Sequence, residues 1–278
     1  MARFTSSDGL SLYYEDEGAG RAVLCLAGLT RNARDFDPLA PHLAGMRMLR
    51  LDYRGRGRSD HDPEFTNYNI MREAQDVIEL LDHLGLERVT LIGTSRGGLI
   101  AMALAAGHGG RLDAVLLNDI GPEVAPGGLE RIMDYVGKPP PFADLDAAAA
   151  ALEAAHGADF AGVSRARWRA QAEAMFAPRA EGGLALRYDP KLRDALVGQA
   201  GAGESVDLWA LFDALRDTPL AVVRGANSDL LSAQTLTRMQ ERHPGLIAAT
   251  VPDRGHVPFL DEAEALAALH ELLETSET

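Results

Sequence analysis

Residues 91 to 98, LIGTSRGG, place a serine between two glycines in the pattern Gly-x-Ser-x-Gly. A serine hydroxyl is a weak nucleophile at neutral pH, and it attacks a carbonyl when a base takes its proton and a carboxylate orients that base. Apolar residues precede Gly93 and a helical pattern follows Ser95, so the serine stands where a strand turns into a helix. The stretch therefore predicts either a nucleophile or a simple turn residue, and the rest of the chain must decide.

A histidine suited to act as the base follows the last predicted strand. His256 lies in VPDRGHVPFLDE, after Gly255 and before a helical pattern. The other seven of the eight histidines lie in or beside helical patterns or in loops. Because the segment of Ser95 also ends a strand, we expect His256 to lie over the same edge of the sheet and to serve as the base.

Two aspartates are candidates for the orienting carboxylate. Asp229, in LAVVRGANSDLLS, lies in the loop just past a predicted strand at 220–225. Asp119 ends the strand-like run LDAVLLND, and a carboxylate can also reach the histidine from that strand. We favour Asp229 and keep Asp119 as the alternative.

The chain alternates between strand-like and helical segments. Residues 3–17 alternate around an Asp-Gly pair and predict an antiparallel hairpin at a sheet edge. Amphipathic helices, such as one over 69–85, separate the later strands. The pattern predicts an α/β fold, with a mostly parallel eight-stranded sheet and helices on both faces. Six nearly continuous apolar runs are typical of parallel strands covered on both faces: 22–28, 47–52, 88–93, 112–119, 220–225 and 246–252.

One long segment, residues 122–216, interrupts this alternation. Its Ala-rich run at 144–157 has high helix propensity, and residues 177–190 predict a hairpin or turn. Aromatic and Leu positions elsewhere in the segment favour a packed helical lid over a flexible linker. The predicted domains are a core of residues 1–121 and 217–278 and an inserted helical cap of residues 122–216.

Composition narrows the possible functions. The 27 basic and 41 acidic residues give a formal charge of −14, which disfavours binding to nucleic acid or to an anionic membrane surface. No apolar run approaches the roughly 18 residues of a spanning helix, and the start has no signal-peptide pattern, so we predict a cytoplasmic protein. The single cysteine, Cys25, lies in an apolar run that predicts a core position. Monomer and homodimer both remain open.

These segments together resemble the α/β-hydrolase fold superfamily over essentially the full length, in its serine hydrolase branch with a lid after the sixth strand. The order Ser95, Asp229, His256 is the Ser, acid, His order of that family. The stretch DYRGRGRSD (52–60) matches the family's Asp-x-Arg-Gly-x-Gly-x-Ser loop, which favours a structural role over a phosphate cradle. A serine at this turn argues against the epoxide hydrolase and haloalkane dehalogenase branches, which have Asp there.

The resemblance also implies an oxyanion hole formed by the backbone N–H groups of Leu29 and Arg96. Many members carry His-Gly before the first of these residues, where this chain has Ala27 and Gly28. Because both donors are backbone groups, the substitution leaves the hole in place, and Thr30 offers a further hydroxyl. The Arg96 side chain either recognises an acidic substrate group or pairs with a carboxylate, and we favour the pairing.

The resemblance implies a serine hydrolase that cleaves a small carboxylic ester through an acyl-enzyme, without a metal or an organic cofactor. The expected partner is a small ester or lactone. Lactonase and carbon-carbon bond hydrolase share the triad and stay open, as does a ligand receptor that binds without turnover. Thr30 is a further candidate for contact with the substrate. The lid residues that would shape the pocket are Trp168, Met175, Phe176, Trp209 and Phe212, although packing within the lid explains most of these five equally well.

Overall fold

A computed structural model of the chain describes residues 2–201 and 207–276. The strands within those residues are β1 (Ala2–Thr5), β2 (Ser11–Gly18), β3 (Ala22–Leu26), β4 (Arg47–Leu51), β5 (Val89–Thr94), β6 (Leu112–Asn118), β7 (Phe176–Pro178), β8 (Leu184–Leu186), β9 (Leu220–Gly225) and β10 (Ile247–Val251). The helices are α1 (Ile70–His83), α2 (Arg96–His108), α3 (Pro126–Tyr135), α4 (Leu145–His156), α5 (Arg165–Met175), α6 (Leu192–Gly201), α7 (Leu208–Asp213), α8 (Ala233–Arg242) and α9 (Ala263–Thr275).

Eight of the strands form one sheet in the order β1-β2-β4-β3-β5-β6-β9-β10. The β1–β2 and β2–β4 pairs are antiparallel, and the remaining pairs are parallel. The predicted α/β fold class and its edge hairpin are therefore confirmed. The carboxyl ends of β5, β6 and β9 lie side by side, which brings the loops that follow them to one edge of the sheet.

Both faces of the sheet are covered, as the apolar strands require. Side chains alternate along β3: Leu24 packs toward α1 and α2, whereas Val23 and Cys25 pack toward α9. Burial raises the pKa of the Cys25 thiol to about 12, so the thiol stays protonated at neutral pH, as suits a core residue. No helix in the described part of the chain has the length and apolar character needed to cross a bilayer.

The segment between β6 and β9, hereafter the insert (residues 122–216), has its own small core. Phe160, Trp168 and Phe176 belong to an apolar cluster separate from the sheet's two. The hairpin predicted within 177–190 forms as β7 and β8, which pair antiparallel. Helix α7 lies near the end of the insert but packs against α2, and its Phe212 is part of the main core.

Candidate active site

The predicted strand-to-helix turn forms at Ser95, between the end of β5 and the start of α2. The residue has φ 51° and ψ −112°, a conformation that L-amino acids rarely adopt and that costs free energy. Its amide donates a hydrogen bond of 3.0 Å to the carbonyl of Asn118, which ties the turn to β6. The turn presents the Ser95 side chain at the carboxyl edge of the sheet.

Close packing explains the small residues on either side of this serine. A Cβ atom at Gly97 would lie 2.1 Å from the carbonyl oxygen of Leu26. A Cβ atom at Gly93 would lie 2.5 Å from the carbonyl oxygen of Gly97. The tight turn therefore needs glycine at both positions because neighbouring backbone occupies the space.

His256 lies within hydrogen-bonding distance of the serine. Its Nε2 atom is 3.0 Å from the Oγ atom of Ser95. Two contacts hold the loop that carries the histidine: the Asn118 side chain donates to the Pro258 carbonyl at 3.0 Å, and Arg254 donates to Glu262 at 2.7 Å. The ring therefore meets the serine from the loop that follows β10.

The carboxylate beside this histidine is Asp119, the residue that follows β6. Its Oδ2 atom lies 2.7 Å from Nδ1 of His256, and the side chain is fully buried. The Asp119 oxygens also accept hydrogen bonds from the Gly225 amide at 2.8 Å and the Ser228 hydroxyl at 2.6 Å. Because a carboxylate accepts hydrogen bonds, Nδ1 carries the hydrogen, and Nε2 is free to take a proton from Ser95.

The structure corrects the choice of Asp229 as the partner of His256. Asp229 instead lies 3.0 Å, Oδ2 to Nη1, from Arg131 of α3 in the insert. Strand order gives the physical reason: β6 is the direct neighbour of β5, whereas the loop of Asp229 follows β9, one strand farther away. The β9 loop still reaches the site, but it supplies hydrogen-bond donors to Asp119 rather than the acid itself.

The loop after β3 runs beside the serine. The amide of Leu29 in this loop and the amide of Arg96 in the first turn of α2 donate no hydrogen bond to any group in residues 2–201 and 207–276. The Tyr53 hydroxyl donates to the Ala27 carbonyl at 3.1 Å, and the Arg56 Nε atom donates to the Leu29 carbonyl at 3.0 Å. These side chains hold the loop on either side of Gly28.

The serine and the histidine open onto a cavity of about 580 Å³ between the sheet edge and the insert. Its lining combines apolar and charged side chains. The insert contributes an apolar wall of Phe142, Leu152, Phe160, Trp168, Met175 and Phe176. Charged residues that line the cavity are Arg31, Asp35, Arg131, Asp134, Lys138, Asp159 and Asp229.

A second histidine, His156 at the end of α4, also lines this cavity. Its ring stacks on Trp168 with centroids 6.4 Å apart. Burial, together with the positive charge of Arg131, lowers the pKa of His156 below its ordinary value of 6.5, and the nearby Asp159 and Asp229 partly oppose this effect. His156 is therefore neutral at pH 7 and adds a polar edge to an otherwise aromatic surface.

Comparison with known proteins decides the family. The family model for the alpha/beta hydrolase fold matches residues 21–263. The chain belongs to this family. The α/β-hydrolase is 38% identical over 267 residues to the 3-hydroxybutyrate-oligomer hydrolase of Cupriavidus necator, a match that covers 92% of this chain and 90% of that protein. It is 28% identical over 251 residues to the 2-(acetamidomethylene)succinate hydrolase of Mesorhizobium japonicum, covering 89% of this chain and 85% of that protein.

Solved structures agree with this assignment. The crystal structure of an alpha/beta hydrolase from Novosphingobium aromaticivorans is 44% identical to this α/β-hydrolase and superposes with a TM-score of 0.92. The match covers 98% of this chain and 97% of that one. The whole described chain, including the insert, therefore follows an architecture seen by experiment.

The candidate pocket residues of the α/β-hydrolase separate into two groups. Thr30, Trp168, Met175 and Phe176 line the cavity beside Ser95 and His256. Trp209 and Phe212 do not, and the structure corrects their assignment, because both belong to α7. Phe212 is buried in the main core. The guanidinium groups of Arg238 and Arg242 each lie 4.5 Å from the centroid of the Trp209 ring.

The loop 52–60 of the α/β-hydrolase has a structural role. The Asp52 carboxylate accepts hydrogen bonds from the amides of Ala33 and Arg58, at 2.7 and 2.8 Å. Burial raises the pKa of Asp52 to about 6, although these two hydrogen bonds lower it in part. Arg54 and Arg56 are fully buried and paired with carboxylates, and Arg58 lies 3.5 Å from Glu15, so each arginine of this loop has a carboxylate neighbour.

Sequence reasoning missed three residues of the α/β-hydrolase that bear on the site. Ser228, one position before Asp229, donates to Asp119, and Tyr135 and His156 line the cavity. A signal for Ser228 was the polar run ANSD directly after a buried strand. The described part of the chain brings no three His, Cys, Asp or Glu side chains into an arrangement that could hold a metal ion.

Proposed function

We propose that the chain is a serine hydrolase that cleaves a small carboxylic ester through an acyl-enzyme intermediate. The hydrogen-bonded line from Ser95 through His256 to Asp119, on the floor of a cavity, carries this proposal. In this mechanism His256 takes the proton of Ser95 as the Oγ atom attacks the ester carbonyl, and Asp119 stabilises the imidazolium. The histidine then returns the proton to the leaving alcohol.

The oxyanion that forms during attack needs donors aimed at it. The amides of Leu29 and Arg96 are the candidates, since both are free of acceptors and flank the serine. Loss of one such donor in enzymes of this type costs about 3 kcal/mol of transition-state stabilisation. Water then attacks the acyl-enzyme, with His256 acting as the base a second time, and releases the acid.

The insert, in this proposal, is a cap over the site, and residues 1–121 and 217–278 form the catalytic core. The cavity between them supports this division. Its size is in the range of roughly 300–1,000 Å³ typical of small-molecule sites. Thr30, Trp168, Met175 and Phe176 would contact the bound ester there.

The relative from Cupriavidus necator points to a substrate class. Its name describes hydrolysis of 3-hydroxybutyrate oligomers, which are short chains of ester-linked hydroxy acids. The cavity lining of this chain combines apolar side chains with the cations of Arg31, Arg131 and Lys138, which suits a substrate that has an aliphatic backbone and a terminal carboxylate. Short hydroxyalkanoate oligoesters are therefore the proposed substrates.

The test supplies the purified protein with a 3-hydroxybutyrate trimer, p-nitrophenyl esters of increasing acyl length and simple lactones. We expect many turnovers per molecule on oligoesters and p-nitrophenyl esters, with the trimer preferred. Ser95→Ala should lower activity more than about a thousandfold without changing the thermal unfolding midpoint. Ser276→Ala, at a residue that does not line the cavity, should leave activity unchanged. A wild-type protein that stops near one turnover would be a receptor, and active Ser95→Ala protein would refute the mechanism.

A further inference from the structure

Three charged side chains are buried beside the site and have no part in the proposed chemistry. They form the arginine–glutamate chain (Arg56, Glu73 and Arg96). Arg56 Nη1 lies 2.7 Å from Glu73 Oε1, and Arg96 Nε lies 2.5 Å from Glu73 Oε2. Arg56 and Glu73 are fully buried, and the Arg96 side chain is 6% exposed. The Arg96 side chain is bonded to Glu73 and to the Tyr68 carbonyl, so its guanidinium is not placed to recognise a substrate.

Each end of the arginine–glutamate chain meets one candidate oxyanion donor. At one end, Arg56 Nε donates to the carbonyl of Leu29 at 3.0 Å, which fixes the peptide plane next to the Leu29 amide. At the other end, Arg96 itself carries the second amide, and its Nη2 atom also donates to the Tyr68 carbonyl at 3.2 Å. A single carboxylate, that of Glu73, therefore joins the two segments that bear the donors.

Net stability does not account for this arrangement. Removing charges from water costs about as much free energy as their attraction returns, so a buried ion pair adds little to folding. Geometry is a better explanation, because the planar Arg56 guanidinium donates hydrogen bonds to the carbonyls of Leu29 and Arg54 while its charge pairs with Glu73. The Arg56 guanidinium also lies near two tyrosine rings, 5.6 Å from the centroid of Tyr53 and 5.4 Å from that of Tyr68.

An oxyanion hole depends on such geometry. Its donors act when they lie 2.7–3.1 Å from the oxygen as charge develops, and they must be in place before reaction. Leu29 lies in a turn that a single backbone hydrogen bond closes, from the Arg31 amide to the Gly28 carbonyl at 3.1 Å, and the Arg56 bond to the Leu29 carbonyl adds a second constraint on its peptide planes.

We propose that the arginine–glutamate chain is a positioning device that sets the amides of Leu29 and Arg96 relative to Ser95. The proposal rests on the ester hydrolysis proposed above. The three side chains of the arginine–glutamate chain touch neither substrate nor reacting atoms. They act through the loop that carries Leu29 and through the first turn of α2.

A matched pair of carboxylates on α1 tests the device. Glu73 and Asp76 are both fully buried and each pairs with a buried arginine of loop 52–60, but Asp76 binds Arg54, which contacts neither donor segment. Glu73→Gln should lower kcat for p-nitrophenyl butyrate about tenfold or more and leave KM nearly unchanged, because the loss falls on the transition state. Asp76→Asn should lower the unfolding midpoint comparably and leave kcat within about threefold.

A second readout works even if the protein hydrolyses no ester. In ¹⁵N–¹H spectra of the full chain, the Leu29 amide resonance should move in Glu73→Gln and stay in place in Asp76→Asn. If Glu73→Gln does not fold, Arg56→Lys and its control Arg54→Lys replace the pair, since lysine keeps the charge and loses the Nε donor to Leu29. Equal kcat within each pair, or a Leu29 resonance that responds equally to both variants, would overturn the positioning role. Absent ester turnover would instead refute the proposed function.

Discussion

The Nδ1 atom of His256 lies 2.7 Å from Oδ2 of Asp119, at the end of the strand next to the one that carries Ser95. This carboxylate accepts hydrogen bonds from the histidine, the Gly225 amide and the Ser228 hydroxyl. The loop after β9 thus supports the acid instead of supplying it. Asp229 is left to face the cavity and the insert.

Exchange of each aspartate for asparagine separates these roles. Asp119→Asn should lower kcat by about 10⁴-fold, because the amide favours the tautomer of His256 that cannot take the serine proton. Asp229→Asn should leave kcat within about tenfold and change KM for charged esters, since it removes the partner of Arg131 at the cavity wall. Steady-state kinetics on neutral and anionic esters measure both. If Asp229→Asn lowered kcat more than Asp119→Asn, the orienting carboxylate would be Asp229, in the loop after β9.

Packing at the serine turn makes a prediction about stability. Gly97→Ala places a Cβ atom 2.1 Å from the Leu26 carbonyl oxygen, so it should lower the free energy of unfolding by about 1–3 kcal/mol or more. Gly107→Ala is the control on the same helix, because nothing lies within 4 Å of its added methyl group. There alanine should raise the free energy of unfolding by about 0.5–1 kcal/mol. Urea unfolding of both variants measures the difference, and similar values for the two would contradict the steric argument.

The charges around His156 predict the direction of its titration. Arg131→Gln removes a positive neighbour and should raise the pKa of His156 toward 6.5, whereas Asp229→Asn removes a negative neighbour and should lower the pKa further. Proton NMR of the imidazole ring follows both changes. Arg238→Gln, at an exposed arginine beside Trp209, is the control and should leave the titration of His156 unchanged.

Stability follows the same titration with a defined sign. Because the pKa of His156 is lower in the folded protein than in the unfolded chain, a fall in pH through 6.5 protonates the unfolded chain first and destabilises the fold. Arg131→Gln should weaken this loss between pH 7 and pH 5. An unfolding midpoint that responds to pH equally in wild type and variant would contradict the assigned electrostatic cause.

The two tryptophans should differ in their effect on specificity. Trp168→Ala enlarges the cavity at its apolar wall and should shift the preference among p-nitrophenyl esters toward longer acyl chains. The kcat/KM for the C8 ester divided by that for the C4 ester should rise about tenfold. Trp209→Ala removes a ring that packs on Phe212 outside the cavity, so it should lower stability and leave that ratio unchanged. A shifted preference in Trp209→Ala would restore this residue to the pocket.

Much of the core could be predicted because its signals are local. Buried parallel strands appear as continuous apolar runs, and the Asp-Gly pair near residue 9 marks the edge hairpin, so β1 to β6, β9 and β10 were evident in the sequence. The hairpin of the insert was equally visible from Gly182 and Gly183, both of which adopt positive φ.

The acid was less accessible because chain order does not encode strand order. Asp119 and Asp229 both lie between Ser95 and His256 in sequence, and both follow a buried strand. The decisive information is that β6 neighbours β5 and that Gly225 and Ser228 turn their donors toward Asp119. These are tertiary facts, and a linear pattern carries neither of them.

The insert shows a similar limit. Segments with Trp168 and Trp209 have the same mixture of aromatic and charged residues, yet one faces the cavity and the other packs beside α2. Amphipathicity predicts that a face is buried and leaves its partner undefined. The sequence predicted that Arg96 pairs with a carboxylate. It did not predict that this carboxylate is Glu73 or that Glu73 also pairs with Arg56.

The backbone of the insert is bonded to the loop that carries Arg56. The Gly57 amide donates to the Arg187 carbonyl at 2.7 Å, and the Asp189 amide donates to the Gly55 carbonyl at 2.8 Å. A chimera that transplants residues 122–216 from a relative would leave these peptide groups unmatched unless loop 52–60 travels with them. The exchangeable unit for engineering new substrate ranges is therefore discontinuous, and its smaller piece, loop 52–60, ends about sixty residues before the insert begins, on the other side of Ser95 in the sequence.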